Sequence, residues 1–497
     1  MTSARRILVV LLALIAPLSL AAKELNVGII GFPRELGHPY AVSNLPAIYT
    51  FTALYDALTF VDGKGHVAPW LALTWRQTGD TAWEFKLRPG VTFSNGEPLT
   101  AEAVVDSVTY LVSPEARGDT MAAELSSLAG ARALDDLTVE IVTKTPNPVL
   151  HREVSALRVI APGHWRKVGP DGYRRQPIGT GPFAVTSWGA ARLEMAAVPT
   201  SWRPPKVDQL NLLVLPDMAS RVQGVLSGQL DIALALRTEE RAVIEAAGHR
   251  LQASPGTGVF VIALNTLRDE RLQDARVRKA LNLAINREQI SQVMLGGLVK
   301  PASQFTPPNA SGYDPSLTPY PYDPELAKRL LAEAGHGGGM KFILEGVMSG
   351  AVSDSSLFQQ IAAEWAGVGV EVELRPITIT QLSTAMHSEG SWQGTMFPTD
   401  YGTAPSLDSL RSMKLHSCLH LYPWYCDKAG LPILEAALTA KTEAERTALT
   451  KQVFRRYHDD YAAVLLWDIV YFDAVRKEVS DMPSVGSWIR WDGITKD

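Results

Sequence analysis

The sequence predicts a mixed α/β protein divided into several lobes, and three observations carry that expectation. Its 497 residues amount to about three domains at roughly 150 residues each. The pattern from Leu210 to Leu234 runs strand, helix, strand, the rhythm of a sheet flanked by helices. No tandem repeat or low-complexity stretch is present, so solenoids and linker arrays are excluded. With 46% hydrophobic and 20% charged residues, the chain can bury a large core and lacks the signature of disorder.

In chain order, Arg5 and Arg6 precede an apolar run from Ile7 to Leu20, closed by Ala21 and Ala22. A charged start, a short apolar stretch and small residues at a cleavage point are the parts of a secretory signal, expected over residues 1–22. Pro17 and Ser19 interrupt the run, which falls short of the ~20 apolar residues needed to cross a bilayer. The mature protein is therefore expected beyond the inner membrane, in the periplasm. Leu25 to Ile30 reads as a strand entering a core. Turn signals at Asp62-Gly63, Pro89-Gly90 and Asn95-Gly96 alternate with strand-like pieces such as Trp83 to Leu87. Thr100 is the expected N-cap of a helix whose Val104, Val105, Val108 and Leu111 share a face.

A strand-like piece from Leu137 to Val142 runs to Pro146 and Pro148, and Arg174 to Pro182 reads as a linker crossing between lobes. Beyond the Leu210 to Leu234 unit, single helical patterns are expected over Asp274 to Leu295, Asp323 to Ala334 and Leu431 to Tyr461. The second ends at Gly335, as a C′ glycine would end it. Lys341 to Val347 and Val370 to Leu374 read as strands around a helix from Ser355 to Trp365, and an apolar run covers Ala462 to Trp467.

The composition excludes some functions and the motifs exclude others. The formal charge is −5, so no basic balance points to nucleic acid. Gly179-Thr180-Gly181-Pro182-Phe183-Ala184 matches a dinucleotide fingerprint in letters, but no strand precedes it and Pro182 sits in the turn. His336-Gly337-Gly338-Gly339 resembles an esterase oxyanion loop without the G-x-S-x-G elbow such an enzyme needs. No Walker A or H-E-x-x-H motif occurs, and His387-Ser388-Glu389 lacks the P-C-x-x-C partner of a deaminase. Cys418 and Cys426, with His416 and His420 nearby, leave a local disulfide, free thiols and a metal site all open. No cofactor is expected.

The order and spacing of several segments then resemble a known family. Leu54-Tyr55-Asp56-Ala57-Leu58, Pro69-Trp70-Leu71-Ala72, Phe85 to Val91 and Phe93-Ser94-Asn95-Gly96-Glu97-Pro98 come first. Pro177 to Phe183, Val277 to Asn282 with Ala284 to Arg287, Tyr322 to Glu325 and Val475 to Val479 follow. Together they are similar to the family 5 extracellular solute-binding proteins, receptors of peptide and nickel ABC importers.

The resemblance implies the type 2 periplasmic-binding-protein fold, with two hinged lobes and an additional inserted domain. It places lobe I at 23–48, 179–263 and 474–497, the inserted domain II at 49–178 and lobe III at 264–473. It implies a monomeric receptor, not an enzyme, that closes on its ligand and presents the closed form to an inner-membrane ABC permease. Phe397-Pro398-Thr399-Asp400-Tyr401 resembles the segment whose aspartate holds a peptide's ammonium group, which makes Asp400 the principal candidate, with Phe397, Tyr401, Leu45 and Tyr471 as cleft walls. The arginine that dipeptide-binding members place between a strand and the next helix is absent from Met348 to Ser355. Peptide is the leading ligand; a nickel chelate, with His416 as a ligand, haem or another small solute are alternatives. Cys418 and Cys426 resemble a cysteine pair of the dipeptide-binding members. A secreted hydrolase is the reading from another class, and it needs a nucleophile and base brought together by the fold.

Overall fold

The computed structural model describes residues 22–348, 355–388 and 392–497. Nearly all of the expected signal segment, and most of Met348 to Ser355, lies outside them. Among the described residues no helix is long and apolar enough to cross a membrane.

One ten-stranded sheet organises the chain. Its strands are β1 (Glu24–Ile29), β2 (Phe183–Trp188), β3 (Arg192–Ala197), β4 (Gln209–Val214), β5 (Ile232–Leu236), β6 (Arg250–Leu264), β7 (Met340–Gly346), β8 (Val370–Pro376), β9 (Met396–Gly402) and β10 (Ala463–Val475). Across the sheet the order is β8-β7-β9-β6-β10-β5-β1-β4-β3-β2. Two parallel groups, β4-β1-β5 and β8-β7-β9, are joined by the long antiparallel pair β6 and β10. Leu25, Val27 and Leu212 are fully buried, as apolar strands covered on both faces should be.

The buried side chains divide at that pair. Leu25, Leu210 and Val475 belong to one core, while Ile262, Phe342, Leu344 and Leu466 belong to another. A second four-stranded sheet, Ala72–Gly79, Ala82–Leu87, Leu128–Asp135 and Thr138–Thr143, is covered by the helix Ala101–Val112. Its Phe85, Val104 and Ile141 continue the first core without a break. Residues 49–178 and the strands around β1 thus form one body, and the chain from Asn265 to Ala462 forms the other.

The chain passes between these two bodies in β6 and β10, while Arg174 to Pro182 leads from the 49–178 segment into β2 of the first body. Arg250 to Pro255 pair with Val470 to Val475, and Val259 to Ala263 pair with Ala463 to Asp468. Between these stretches Gly256, Thr257 and Gly258 stand opposite Ile469 alone. Such a bulge bends a strand and interrupts its ladder, which makes it the natural flexing point. The Gly179-Thr180-Gly181 segment instead packs on the end of the helix Leu45–Leu54. A Cβ at Gly179 would stand 2.0 Å from the Leu54 carbonyl oxygen, and one at Gly181 2.4 Å from that of Ala53. These glycines serve close backbone approach, not phosphate binding.

Two expected helices are each broken. Asp274 to Leu295 is Ala275–Leu283 and Arg287–Met294, because the Asn286 side chain accepts the Gln289 N–H at 3.0 Å and starts a new helix. Leu431 to Tyr461 is Leu431–Thr439 and Glu443–Asp459, restarted by Thr442, whose hydroxyl accepts the Glu445 N–H at 3.2 Å. Thr100 precedes its helix as expected but makes no side-chain cap bond. Gly335 ends the helix Pro324–Glu333 at φ +87°, a conformation that glycine adopts without strain.

Asp473, near the end of β10, is buried and accepts one bond, from the Ala235 N–H at 3.0 Å. Burial pushes its pKa up to about 7, against about 4 in an unfolded chain. The folded state therefore holds a proton that the unfolded state has lost, so stability falls as pH rises from about 4 through about 7. Asp473→Asn should gain stability relative to the native protein between pH 5 and pH 8. Urea unfolding at both pH values measures this, and an unchanged difference would exclude the effect.

Candidate functional site

The carboxyl ends of β5 and β9 both lie beside the bulge, Leu236 opposite Phe472 and Gly402 opposite Gly258, and open α/β sheets bind ligands at the carboxyl ends of their strands. In the second body that edge is the end of β9. Asp400 pairs in register with Phe260 of β6, and its side chain reaches solvent although protein surrounds it. That enclosure raises its pKa, and the Arg411 guanidinium works in the opposite direction. Glycine fills the immediate surroundings: a Cβ at Gly402 would stand 2.8 Å from Asp400 Oδ2 and 3.5 Å from Arg411 Nη1, and one at Gly258 would stand 3.4 Å from Asp400 Oδ2.

Tyr471 of β10 joins this group. Its hydroxyl lies near Thr257 and Ser487, and burial, followed by the nearby Asp400 charge, pushes its pKa up to about 12. The bulged Thr257 is held by Thr403, whose N–H and hydroxyl both donate to the Thr257 carbonyl, at 2.7 and 2.8 Å. Asp400, Tyr471 and the bulge thus meet where the bodies join.

The other candidates fall elsewhere. Residues of a strand alternate between faces, so Phe397 and Tyr401 point away from Asp400. Phe397 is 1% exposed and stacks on Trp392 at 3.8 Å between ring centroids. Tyr401 is 1% exposed and stacks on His416 at 3.8 Å. Both belong to a closed core, not to a cleft wall. Leu45 opens the helix Leu45–Leu54 and is partly buried against the first core.

His416 is a core residue too, not a ligand on a solvated loop. Its Nε2 lies 3.0 Å from the Asp400 carbonyl oxygen, and burial pushes its pKa down to about 3. Cys418 and Cys426 are bridged, which removes both thiolates from a metal reading. Among the described residues no group of three or more His, Cys, Asp or Glu side chains is placed to hold a metal ion.

The bridge closes a loop in which Trp424 is 2% exposed and packs edge-on against Phe397. Its carbonyl accepts the Thr266 N–H at 2.9 Å. Cys418→Ser with Cys426→Ser should lower stability by about 2 kcal/mol, since so short a loop restrains little of the unfolded chain. Chemical denaturation measures that loss, and thiol titration of the denatured, unreduced protein should find none free.

Two residues that sequence reasoning does not single out close the site. Arg411 donates through Nε to Glu124 Oε2 at 2.7 Å and through Nη2 to Glu124 Oε1, while its Nη1 donates to the Gly402 carbonyl at 3.0 Å. Glu124 belongs to the first body and Arg411 to the second, so this two-pronged pair spans the bodies beside Asp400. Lys441 with Asp80 at 2.6 Å, and Arg152 donating to the Ser406 carbonyl at 3.2 Å, also span them.

The family model of the bacterial extracellular solute-binding proteins, family 5, matches residues 66–415. The chain belongs to this family. A di/tripeptide-binding protein of Pseudomonas aeruginosa is 27% identical over 478 residues, covering 87% of this chain and 88% of the relative. A glutathione-binding protein of Escherichia coli is 26% identical over 461 residues, covering 88% of each. The solved NikA of Brucella suis, in complex with Fe(III)-EDTA, superposes with a TM-score of 0.82 at 24% identity, covering 95% of this chain and all of that one. The periplasmic-binding-protein fold expected from the sequence is thereby established, and the chain is the substrate-binding protein of an ABC importer.

Proposed function

We propose that this chain is a periplasmic receptor for short peptides with a free amino terminus, delivering them to an inner-membrane permease as a monomer. One observation carries the reading: among the described residues no side-chain cation is bonded to the Asp400 carboxylate, at the carboxyl edge of the second body. A ligand ammonium would supply the missing partner as a charge-assisted hydrogen bond in an enclosed site. The relative named for di- and tripeptides supports the same solute class. The lobes run over 23–48, 179–263 and 474–497 for the first and 264–473 for the second, with 49–178 inserted, and the signal segment 1–22 is removed on export.

Ligand captured between the lobes favours the closed form in proportion to its differential affinity for the two forms. Mass spectrometry of solute co-purified with the native protein should find intact short peptides, and small-angle scattering should show compaction when they are added back to stripped protein. A co-purified chelate or haem would replace the peptide assignment. Recovery of cleaved peptide products would point to the hydrolase, and no compaction at saturation would exclude closure.

A further inference from the structure

Between the inserted domain and the second body lies a cavity of about 350 Å³ whose walls leave out Asp400. Residues 124–127, 144–147 and 153 form one side, and residues 405–414 and 438–446 form the other. Its carboxylates are already partnered. Glu124 is held by Arg411, and Asp408 Oδ2 accepts from Arg446 Nη2 at 2.5 Å. Glu153 accepts the Ser127 hydroxyl at 2.6 Å, and burial disfavours its charged form.

Two of the cavity's cations are not so partnered. Lys144 Nζ donates to the Ser126 carbonyl at 2.9 Å and Lys414 Nζ to the Ser126 hydroxyl at 3.4 Å. Among the described residues, neither has a carboxylate within ion-pair distance. The two ammonium groups reach one serine from opposite bodies, Lys144 from the first and Lys414 from the second. With Glu124 and Asp408 held by arginines and Glu153 by Ser127, the two lysines leave an excess of positive charge that matches a small dianion with oxygen acceptors.

We propose that this cavity is a second ligand site, for a small dianion bridged by Lys144 and Lys414, divided from the site at Asp400 by the Arg411–Glu124 pair. Because its halves lie on different bodies, an occupant binds the closed arrangement better than the open one and shifts the protein toward it. The shared chemistry has two sources, inorganic phosphate and a short dicarboxylate.

Isothermal titration of the purified mature protein with phosphate, and separately with succinate, at constant ionic strength tests the site. One equivalent of at least one probe should bind saturably, and the probe that binds identifies the source. The Lys144→Ala, Lys414→Ala double variant should bind about tenfold more weakly, as expected for two partly exposed charge contacts. Both lysines are exposed, so the double variant should keep the native circular dichroism, and each single variant should fall between. No saturable binding of either probe up to about 10 mM, or equal affinity in the double variant, would overturn the proposal. The outcome is independent of which solute Asp400 receives.

Discussion

Asp400→Asn should weaken the binding of a free-amine dipeptide about a hundredfold while leaving the N-acetylated form of the same peptide nearly unaffected. The substitution keeps the side chain's size and removes its charge, so only the ligand that brings a cation loses its partner. Removing one member of an enclosed, hydrogen-bonded charge pair costs on the order of 3 kcal/mol, about a hundredfold in affinity. The enclosure that raises the Asp400 pKa is the same desolvation that makes an unpaired ligand ammonium costly there. Calorimetric titration of both ligands into both proteins gives the four affinities needed, and equal losses for the two ligands would remove Asp400 from this role.

The largest stability effect should come from Asp56→Ala, a loss of about 3 to 5 kcal/mol. Asp56 is 2% exposed, and its two oxygens accept four bonds. Oδ1 accepts from Trp70 Nε1 and Arg203 Nε, each at 2.8 Å, and Oδ2 from the Thr180 hydroxyl at 2.8 Å and Trp202 Nε1 at 3.0 Å. Arg203 is buried as well and continues to Asp492 at 2.8 Å and to the Thr52 carbonyl at 3.1 Å. Truncating Asp56 strands several buried donors at once, and each costs more unpaired than its bond contributes when made. Urea unfolding measures the loss, and a decrease under about 1 kcal/mol would show that water or the neighbouring Asp492 takes over the network. Asp56→Asn, with one oxygen left, should fall between.

The sequence carries local structure well where one signal dominates. The helix at Ala101–Val112 and the glycine stop at Gly335 rest on residues within a turn of one another. The broken helices were legible too, since Asn286 and Thr442 are capping residue types in mid-pattern, but their apolar periodicity continues across the breaks and masks them. So was the separation of Asp400 from Phe397 and Tyr401, which follows from strand alternation once Met396–Gly402 is a strand. Resemblance to a family segment grouped Phe397, Asp400 and Tyr401 as one site, and the pleat divides them. The hinge and the Arg411 pair were not legible, because they depend on partners more than 200 positions apart, such as Arg250 with Val475 and Glu124 with Arg411. No local pattern marks such a pairing.

The pairing of β6 with β10 also sets the order in which the molecule can be completed. The second body is one uninterrupted length of chain whose two ends emerge as neighbouring strands, so its core is present once the chain has reached Phe472. The first body begins earlier, at Glu24, yet its core includes Val475, Met482, Trp491 and Ile494, and Asp492 joins the network around Arg203. What starts first must therefore finish last. Until the final turns of the chain are synthesised, the amino-terminal half lacks a sheet neighbour and part of its interior. Long-range pairings of this kind form slowly because the intervening loop must first close.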